Sequence, residues 1–349
     1  PWDALAEDYE PGCTAAAVAE VFLPLRDRLR TLLEEIASSP TKPSGQLDAI
    51  DLPETEQMGF CRDIAAAIGF DFNRGRLDTS THPFCGGSHC DDVRLTTRFH
   101  PAMVTDAISS TMHEAGHGMY EQGLLYEHVG TPCGESVSLG IHESQSRLWE
   151  NQVGRSEAFW RWAAPRLAAH FGTAVEGIDA RAAYESANRV APGLIRVEAD
   201  EATYNMHVMI RFELERALLT GDLPVADLPA AWNATSREYL GVEVPDDRRG
   251  CLQDIHWSMG AMGYFPTYTL GNLYAAQFFE AACDALPGLV EGFADGQFAP
   301  LLAWLREQIH QHGRRYSPAE LCKRVTGNPL SPDPLMRHLS AKFSPLYAL

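Results

Sequence analysis

The sequence predicts a mainly α-helical fold with one small β element, and three observations predict it. Apolar residues recur at the 3.6-residue helical spacing along most of the chain. One segment, 76–99, instead combines Gly-Gly punctuation with β-branched residues. No internal repeat, low-complexity tract or long linker interrupts the 349 residues, so 1–349 reads as a single domain. Taken in order, residues 14–38 form a first helix with Thr14 as N-cap and Pro24 as a kink. Asp51 and Pro53 open a second helix that Gly69 closes. The stretch RLDTSTHPFCGGSHCDDVRLTTRF (76–99) gives two or three short strands around a loop. Helices then return over 103–122, 135–152, 156–171, 194–219 and 296–313.

Composition narrows the function classes. Lys and Arg number 28 against 47 Asp and Glu, a formal charge of −19. Binding nucleic acid needs a basic face, which a chain this acidic supplies only locally, so no nucleic-acid partner is expected. Hydrophobic residues make up 45% and charged residues 21%, the proportions of a folded globule and not of a disordered tail. No run approaches the roughly 18 consecutive apolar residues of a membrane span, and the start PWDALAEDYE has neither a basic nor an apolar leader region. No membrane partner is expected, and the chain reads as soluble and unsecreted. Eight scattered cysteines are too dilute for a disulfide framework and read as free thiols in a reducing, cytoplasmic compartment.

The chemistry concentrates in MVTDAISSTMHEAGHGMYEQG (103–123), which contains His113-Glu114-Ala115-Gly116-His117. On a helix, positions i and i+4 share one face, so His113 and His117 can bind one divalent metal, with Glu114 placed to meet a water on it. Such a site needs a carboxylate to take the water's proton and pass it to the leaving amine. A third ligand lies in ESVSLGIHESQSRLWENQ (135–152), where Glu143 or His142 can complete a three-ligand set on a separate helix, the arrangement of the Glu-type zincins. Gly116 and Gly118 each cost about 1 kcal/mol in a helix interior. Their presence implies close approach of a strand edge, a substrate backbone or another helix.

These segments are similar to those of the M32 metallocarboxypeptidases. The matching runs are His82-Pro83-Phe84, Asp92 to Thr96, His113 to His117, His142 to Gln145, Ile195 to Asp200, Gly250 to Trp257 and Gly263 to Asn272, in the family's order. The resemblance implies metal ligands His113, His117 and Glu143, with Glu114 as general base and then general acid. It implies a zincin-like helical fold shared with the neurolysin and angiotensin-converting enzyme group, with a deep groove lined by the metal helices. It further implies zinc, with cobalt also supporting activity, a homodimer, and removal of C-terminal residues with broad preference but poor action at proline. Family members carry an additional N-terminal helical region, and this chain enters the pattern at PWDALAEDYEPG (1–12). Pro1 is therefore expected to begin a fragment or an unusually short member. One side of the groove, and with it restricted access, would depend on the missing region.

A carboxypeptidase must hold a free α-carboxylate, and in a chain of charge −19 this calls for a local arginine fork. Arg196, expected inside the 194–219 helix, is the leading anchor; its alternative is an i+4 pair with Asp200. Arg94 is a second candidate, with pairing to Asp92 as its alternative. The oxyanion of amide hydrolysis needs donors, for which His256, Tyr264 and Tyr268 are available; Asp254 and Trp257 are expected to orient His256. Asp200 and Glu201 are expected to accept from the far ring nitrogens of metal-bound histidines. His82, Cys85, His89 and Cys90 can form a structural metal site, but their spacing fits no standard finger, and the preferred reading is a groove-shaping loop with His82 near substrate.

The expected activity is release of single amino acids from peptide C-termini by a metal-activated water. An oligopeptidase or dipeptidyl carboxypeptidase with a longer groove is the nearest alternative. A non-catalytic, metal-stabilised scaffold is the alternative of another class.

Overall fold

Local chemistry sets the helix ends much as the sequence predicts. In the computed structural model, which describes residues 1–349, Thr14 accepts from the Ala17 amide and caps a helix over Ala15–Ser38 that continues through Pro24. The next helix spans Glu54–Ile68 and ends at Gly69, whose φ of 114° lies in the left-handed region open to glycine. Three strands follow: β1 (Gly75–Thr79), β2 (Phe84–His89) and β3 (Asp92–Thr97). They form one sheet in the order β1-β3-β2, with β1 parallel and β2 antiparallel to β3.

The helix Val104–Gly123 carries the two-histidine motif and lies between this sheet and a second helix, Leu139–Arg147, which carries Glu143. Two glycines of the motif helix permit this. A Cβ on Gly118 would lie 2.7 Å from Phe70 and 2.9 Å from Leu95 of β3, and one on Gly116 would lie 2.6 Å from Gln145 O and Ser146 Cα. Gly118 thus answers to the sheet and Gly116 to the neighbouring helix. A third long helix, Pro266–Ala285, packs on the other side of the Glu143 helix. One continuous apolar core runs through all of these elements.

Three expected helices differ from those observed. The 135–152 helix begins only at Leu139, because the Ser138 side chain accepts from the Ile141 amide and caps it there. From Leu148 to Gly154 it widens into a π-helical turn. The 194–219 helix divides into a 3-10 turn at Arg196–Glu198 and a helix at Tyr204–Thr220. The Asp200 carboxylate accepts from the amides of Ala191, Ala202 and Thr203, and this local capture holds the chain out of the helix. Arg196 therefore does not sit on that helix and has no i+4 partner in Asp200. The 296–313 helix spans Ala299–Gln308 and passes into a 3-10 segment, His310–Arg315, broken at Gly313.

Replacing Gly116 by Ala puts a methyl group into backbone and not into a yielding side chain. The expected result is a loss of about 1–3 kcal/mol in denaturant unfolding. The same variant is expected to take up less metal, since the helices bearing His117 and Glu143 can no longer approach as closely.

Candidate metal centre

His113 and His117 project from one face of the motif helix toward Glu143 on the next. His113 Nε2 and His117 Nε2 lie 3.7 and 3.4 Å from Glu143 Oε2. The three donor atoms all fall within 4.8 Å of one another. In each imidazole the opposite nitrogen is already engaged: His113 Nδ1 with Glu150 Oε2 at 2.9 Å, and His117 Nδ1 with His142 Nδ1 at 2.5 Å. The nitrogens that face Glu143 are thus the ones left for a ligand. Two imidazoles and a carboxylate fit a divalent ion of borderline hardness. Of the two candidates for third member, the structure brings Glu143 into the donor cluster and puts His142 behind His117.

What fixes Glu143 is a second charge pattern along its own helix. Glu143, Arg147 and Glu150 stand at i, i+4 and i+7. Arg147 donates to Glu143 Oε1 at 2.7 Å and to Glu150 Oε2 at 3.0 Å, while its guanidinium stacks over the Tyr204 ring at 4.1 Å. Burial pushes the Glu143 carboxyl up, but Arg147, His113 and His117 outweigh it and hold it well below the usual carboxylate range. Glu150 likewise falls, to about 2, as Arg147 and His113 overcome burial. A Cβ on Gly271, in the Pro266–Ala285 helix, would lie 2.5 Å from Glu143 Cγ, so only glycine there leaves the carboxylate its place. Arg147, Glu150 and Gly271 were not singled out from the sequence, although the i, i+4, i+7 spacing following His142 was a readable signal.

Glu114 is 5% exposed and its Oε2 has no hydrogen-bond partner. Burial pushes its carboxyl up to about 7, opposed by His113 and assisted by Glu143 and Glu150. Burial, with His142 adding, pushes His117 down to about 3.

A second cluster gathers Arg196, Arg211, Asp254, His256, Tyr204, Tyr264 and Tyr268. Arg196 donates through Nε and Nη2 to Asp254 Oδ1 at 3.1 and 2.7 Å, and through Nη1 to the Tyr204 hydroxyl at 2.9 Å. Arg211, 0% exposed, donates to Asp254 Oδ2 at 2.6 Å. Two guanidiniums thus share one carboxylate, which leaves one positive charge in excess at this end of the site. His256 Nε2 meets the Tyr268 hydroxyl at 3.0 Å, and its ring packs against Phe265 at a 37° tilt with centroids 4.4 Å apart. Asp254, occupied by the arginines, is 3.9 Å from His256 Nδ1, and Trp257 donates to Glu215. Neither therefore orients His256 as the sequence suggested; Tyr268 and Phe265 do. Tyr264 and Tyr268 lie with ring centroids 5.3 Å apart. Tyr268 precedes Gly271 by three residues on the helix that abuts Glu143, which ties this cluster to the metal centre.

The remaining expectations fall elsewhere. Arg94 pairs with Asp92 at 2.8 Å and its side chain is 61% exposed; on β3 it alternates with Leu95, the residue that faces the motif helix, and so points to the other side of the sheet. His82 is exposed, with Nδ1 2.7 Å from Pro83 O. His89, Cys90 and Asp91 form a small donor group, but His82 and Cys85 do not join it. Asp200 and Glu201 do not reach His113 or His117. Asp200 holds local amides, and Glu201 binds Lys342 at 2.5 Å and His338 at 2.8 Å. Glu150 and His142 take the place expected of them, because they flank Glu143 on the helix that already faces His113 and His117.

A family model described as carboxypeptidase Taq (M32) metallopeptidase matches residues 1–343. Thermostable carboxypeptidase 1 of Thermus thermophilus is 45% identical over 346 residues, covering 99% of this chain and 68% of its own. Carboxypeptidase 1 of Bacillus subtilis is 37% identical over 349 residues, covering 100% of this chain and 70% of its own. The crystal structure of an M32 carboxypeptidase from Deinococcus radiodurans is similar with a TM-score of 0.97 at 43% identity, covering 100% of this chain and 70% of that one.

Burial pushes the Asp254 carboxyl up, yet Arg211 and Arg196 overcome this and hold it well below its unfolded value of 3.8. A carboxylate depressed in the folded state stabilises fully above the unfolded value and loses that contribution as pH falls below it. Asp254→Asn should cost about 3–5 kcal/mol at neutral pH, because two buried guanidiniums lose their counterion. It should also flatten the decline in stability below about pH 4 that is expected of the parent, both measured by urea unfolding.

Proposed function

The chain belongs to the M32 family and is a metal-dependent carboxypeptidase acting on peptides, and from that premise we propose how its residues divide the work. His113 Nε2, His117 Nε2 and the Glu143 carboxylate hold one divalent ion, zinc in the first instance and cobalt as a working substitute. When bound, the ion supplies a Lewis acid for the scissile carbonyl and acidifies a water. The chain is then an HExxH-type peptidase, with a helical scaffold of the neurolysin and angiotensin-converting enzyme kind and with 1–349 as one catalytic domain.

Glu114 takes the proton of the attacking water and returns it to the departing amine. The observation that carries this reading is the buried Glu114 oxygen without a partner beside the three-donor cluster. Its carboxyl, raised to about 7 chiefly by burial, is poised both to accept and to release a proton near neutral pH. Tyr268 and Tyr264 donate to the carbonyl oxygen as it becomes negative, with His256 holding the Tyr268 hydroxyl in place.

Arg196 anchors the substrate's terminal carboxylate. Support comes from the positive charge left where two arginines share Asp254, in a chain whose net charge is −19. A C-terminal carboxylate supplies the missing negative charge, and an internal peptide segment does not, which favours cleavage at the C-terminal end over internal cuts. His82, though exposed, is close enough to His256 to bear on its charge and so borders the site on that side, and Arg94 with Asp92 braces the sheet behind it. Eight cysteines without disulfides accord with a cytoplasmic location. The homodimer implied by the family is checked by sedimentation velocity.

Glu114→Gln should lower kcat by about two to four orders of magnitude with metal content unchanged; equal activity in a fully loaded variant would exclude Glu114 as the base. Tyr268→Phe should lower kcat by about 10²–10³ with little change in KM. Mass spectrometry of a defined peptide should give a ladder of single C-terminal losses. Internal or two-residue cuts would identify an oligopeptidase or dipeptidyl carboxypeptidase instead.

A further inference from the structure

We propose that Glu121 and His142 form a two-step hydrogen-bond relay that sets the tautomer of His117 and so keeps its Nε2 lone pair open to the metal. The inference rests on the reading that His113, His117 and Glu143 are the ligands, and it assigns positioning roles to two residues outside that set.

A neutral imidazole carries one ring proton, so His117 can offer Nε2 to a cation only while its proton sits on Nδ1. For His113 the arrangement is simple, since Glu150 Oε2 can only accept from Nδ1. His117 lacks such a partner. Its Nδ1 faces the Nδ1 of another imidazole, His142. Between two facing nitrogens only one proton fits, and either ring can carry it. If His142 donates, the His117 proton moves to Nε2 and blocks the position turned toward Glu143. If His142 accepts, His117 keeps its proton on Nδ1 and Nε2 is free.

The choice is made on the far side of His142. Its Nε2 lies 2.7 Å from Glu121 Oε1. A carboxylate accepts and does not donate, so the His142 proton is held on Nε2 and its Nδ1 is left as the acceptor. Protons then lie on His142 Nε2 and His117 Nδ1, each donated outward from the metal side toward Glu121. The fold supports this alignment. Glu121 follows His117 by four residues and shares its helix face. His142 enters from the neighbouring helix, whose approach Gly116 permits, and the Tyr120 ring lies against it with centroids 5.3 Å apart. The Glu121 side chain is 34% exposed, so it can be changed without opening the core.

The test measures the zinc dissociation constant of the metal-free chain by competition with a chromophoric chelator. Glu121→Ala and His142→Ala should each weaken zinc binding by about 10–100-fold. Glu121→Gln should stay within about threefold of the parent, because the amide oxygen can accept the same proton. Circular dichroism on each variant reports the fold, and the surface position of Glu121 keeps that arm readable if His142→Ala unfolds. The relay is overturned if both alanine variants bind zinc as the parent does while His117→Ala loses it. It is equally overturned if Glu121→Gln is as weak as Glu121→Ala, since charge and not proton acceptance would then be at work. If His117→Ala also binds normally, the ligand assignment itself fails.

Discussion

Most of this site depends on one guanidinium. Arg147 lies between Glu143 and Glu150, and without it two buried carboxylates would stand about two helix turns apart with no cation between them. Desolvation alone would drive both toward their neutral forms. A protonated Glu143 would be a poor metal ligand, and a protonated Glu150 could donate to His113 and no longer require its proton at Nδ1. Arg147 keeps both ionised; by taking Glu143 Oε1 it leaves Oε2 on the metal side, and it shares Glu150 Oε2 with His113 Nδ1. A single ion pair network thereby decides ligand charge and ligand orientation together.

The helices are arranged around that network by close contact and not by bulk. Gly116 lets the motif helix meet the Glu143 helix at backbone distance, Gly118 lets it meet β3, and Gly271 gives the Glu143 side chain room on the opposite side. A methyl group at Gly116 would meet backbone and one at Gly271 the base of the Glu143 side chain, whereas one at Gly118 would meet the Phe70 and Leu95 side chains. The π turn at Leu148–Gly154 belongs to the same design, since it lies where the Glu143 helix passes from the metal centre into the core and it carries Glu150. Lys342, buried, donates to Asn151 O within this turn and to Glu201, which links the C-terminal helix to the segment that holds Glu150.

Acidity shapes the opposite end of the site. Across the chain negative charge exceeds positive by 19, yet at Asp254 the local balance is reversed, with two arginines to one carboxylate. Burying that excess costs desolvation energy, which the aromatic faces of Tyr268 and Trp232 offset in part by cation–π contact at 4.7 and 4.6 Å. An anionic ligand end is the natural counterpart of such an arrangement. The two clusters, one anionic around a cation site and one cationic, meet through the Pro266–Ala285 helix, which carries Tyr268 and Gly271 one turn apart.

The amino-acid order alone determined the helical class, the short strands expected within 76–99 and the helix carrying His113, Glu114 and His117, because periodicity, caps and i, i+4 spacing are local properties of a chain. It also marked the neighbouring Glu143 and His142. Tertiary structure decided what local pattern could not. Asp200 captured backbone amides and took Arg196 off its expected helix, and Asp254 paired with two arginines from separate segments and left His256 to Tyr268. Glu150 and His142, not Asp200 and Glu201, came to stand behind His113 and His117. The Asp200 capture spans at most nine residues and was lost among competing helical periodicity; the other outcomes turn on which buried group finds which partner across separations of 25 to 58 residues, which no short window of sequence contains.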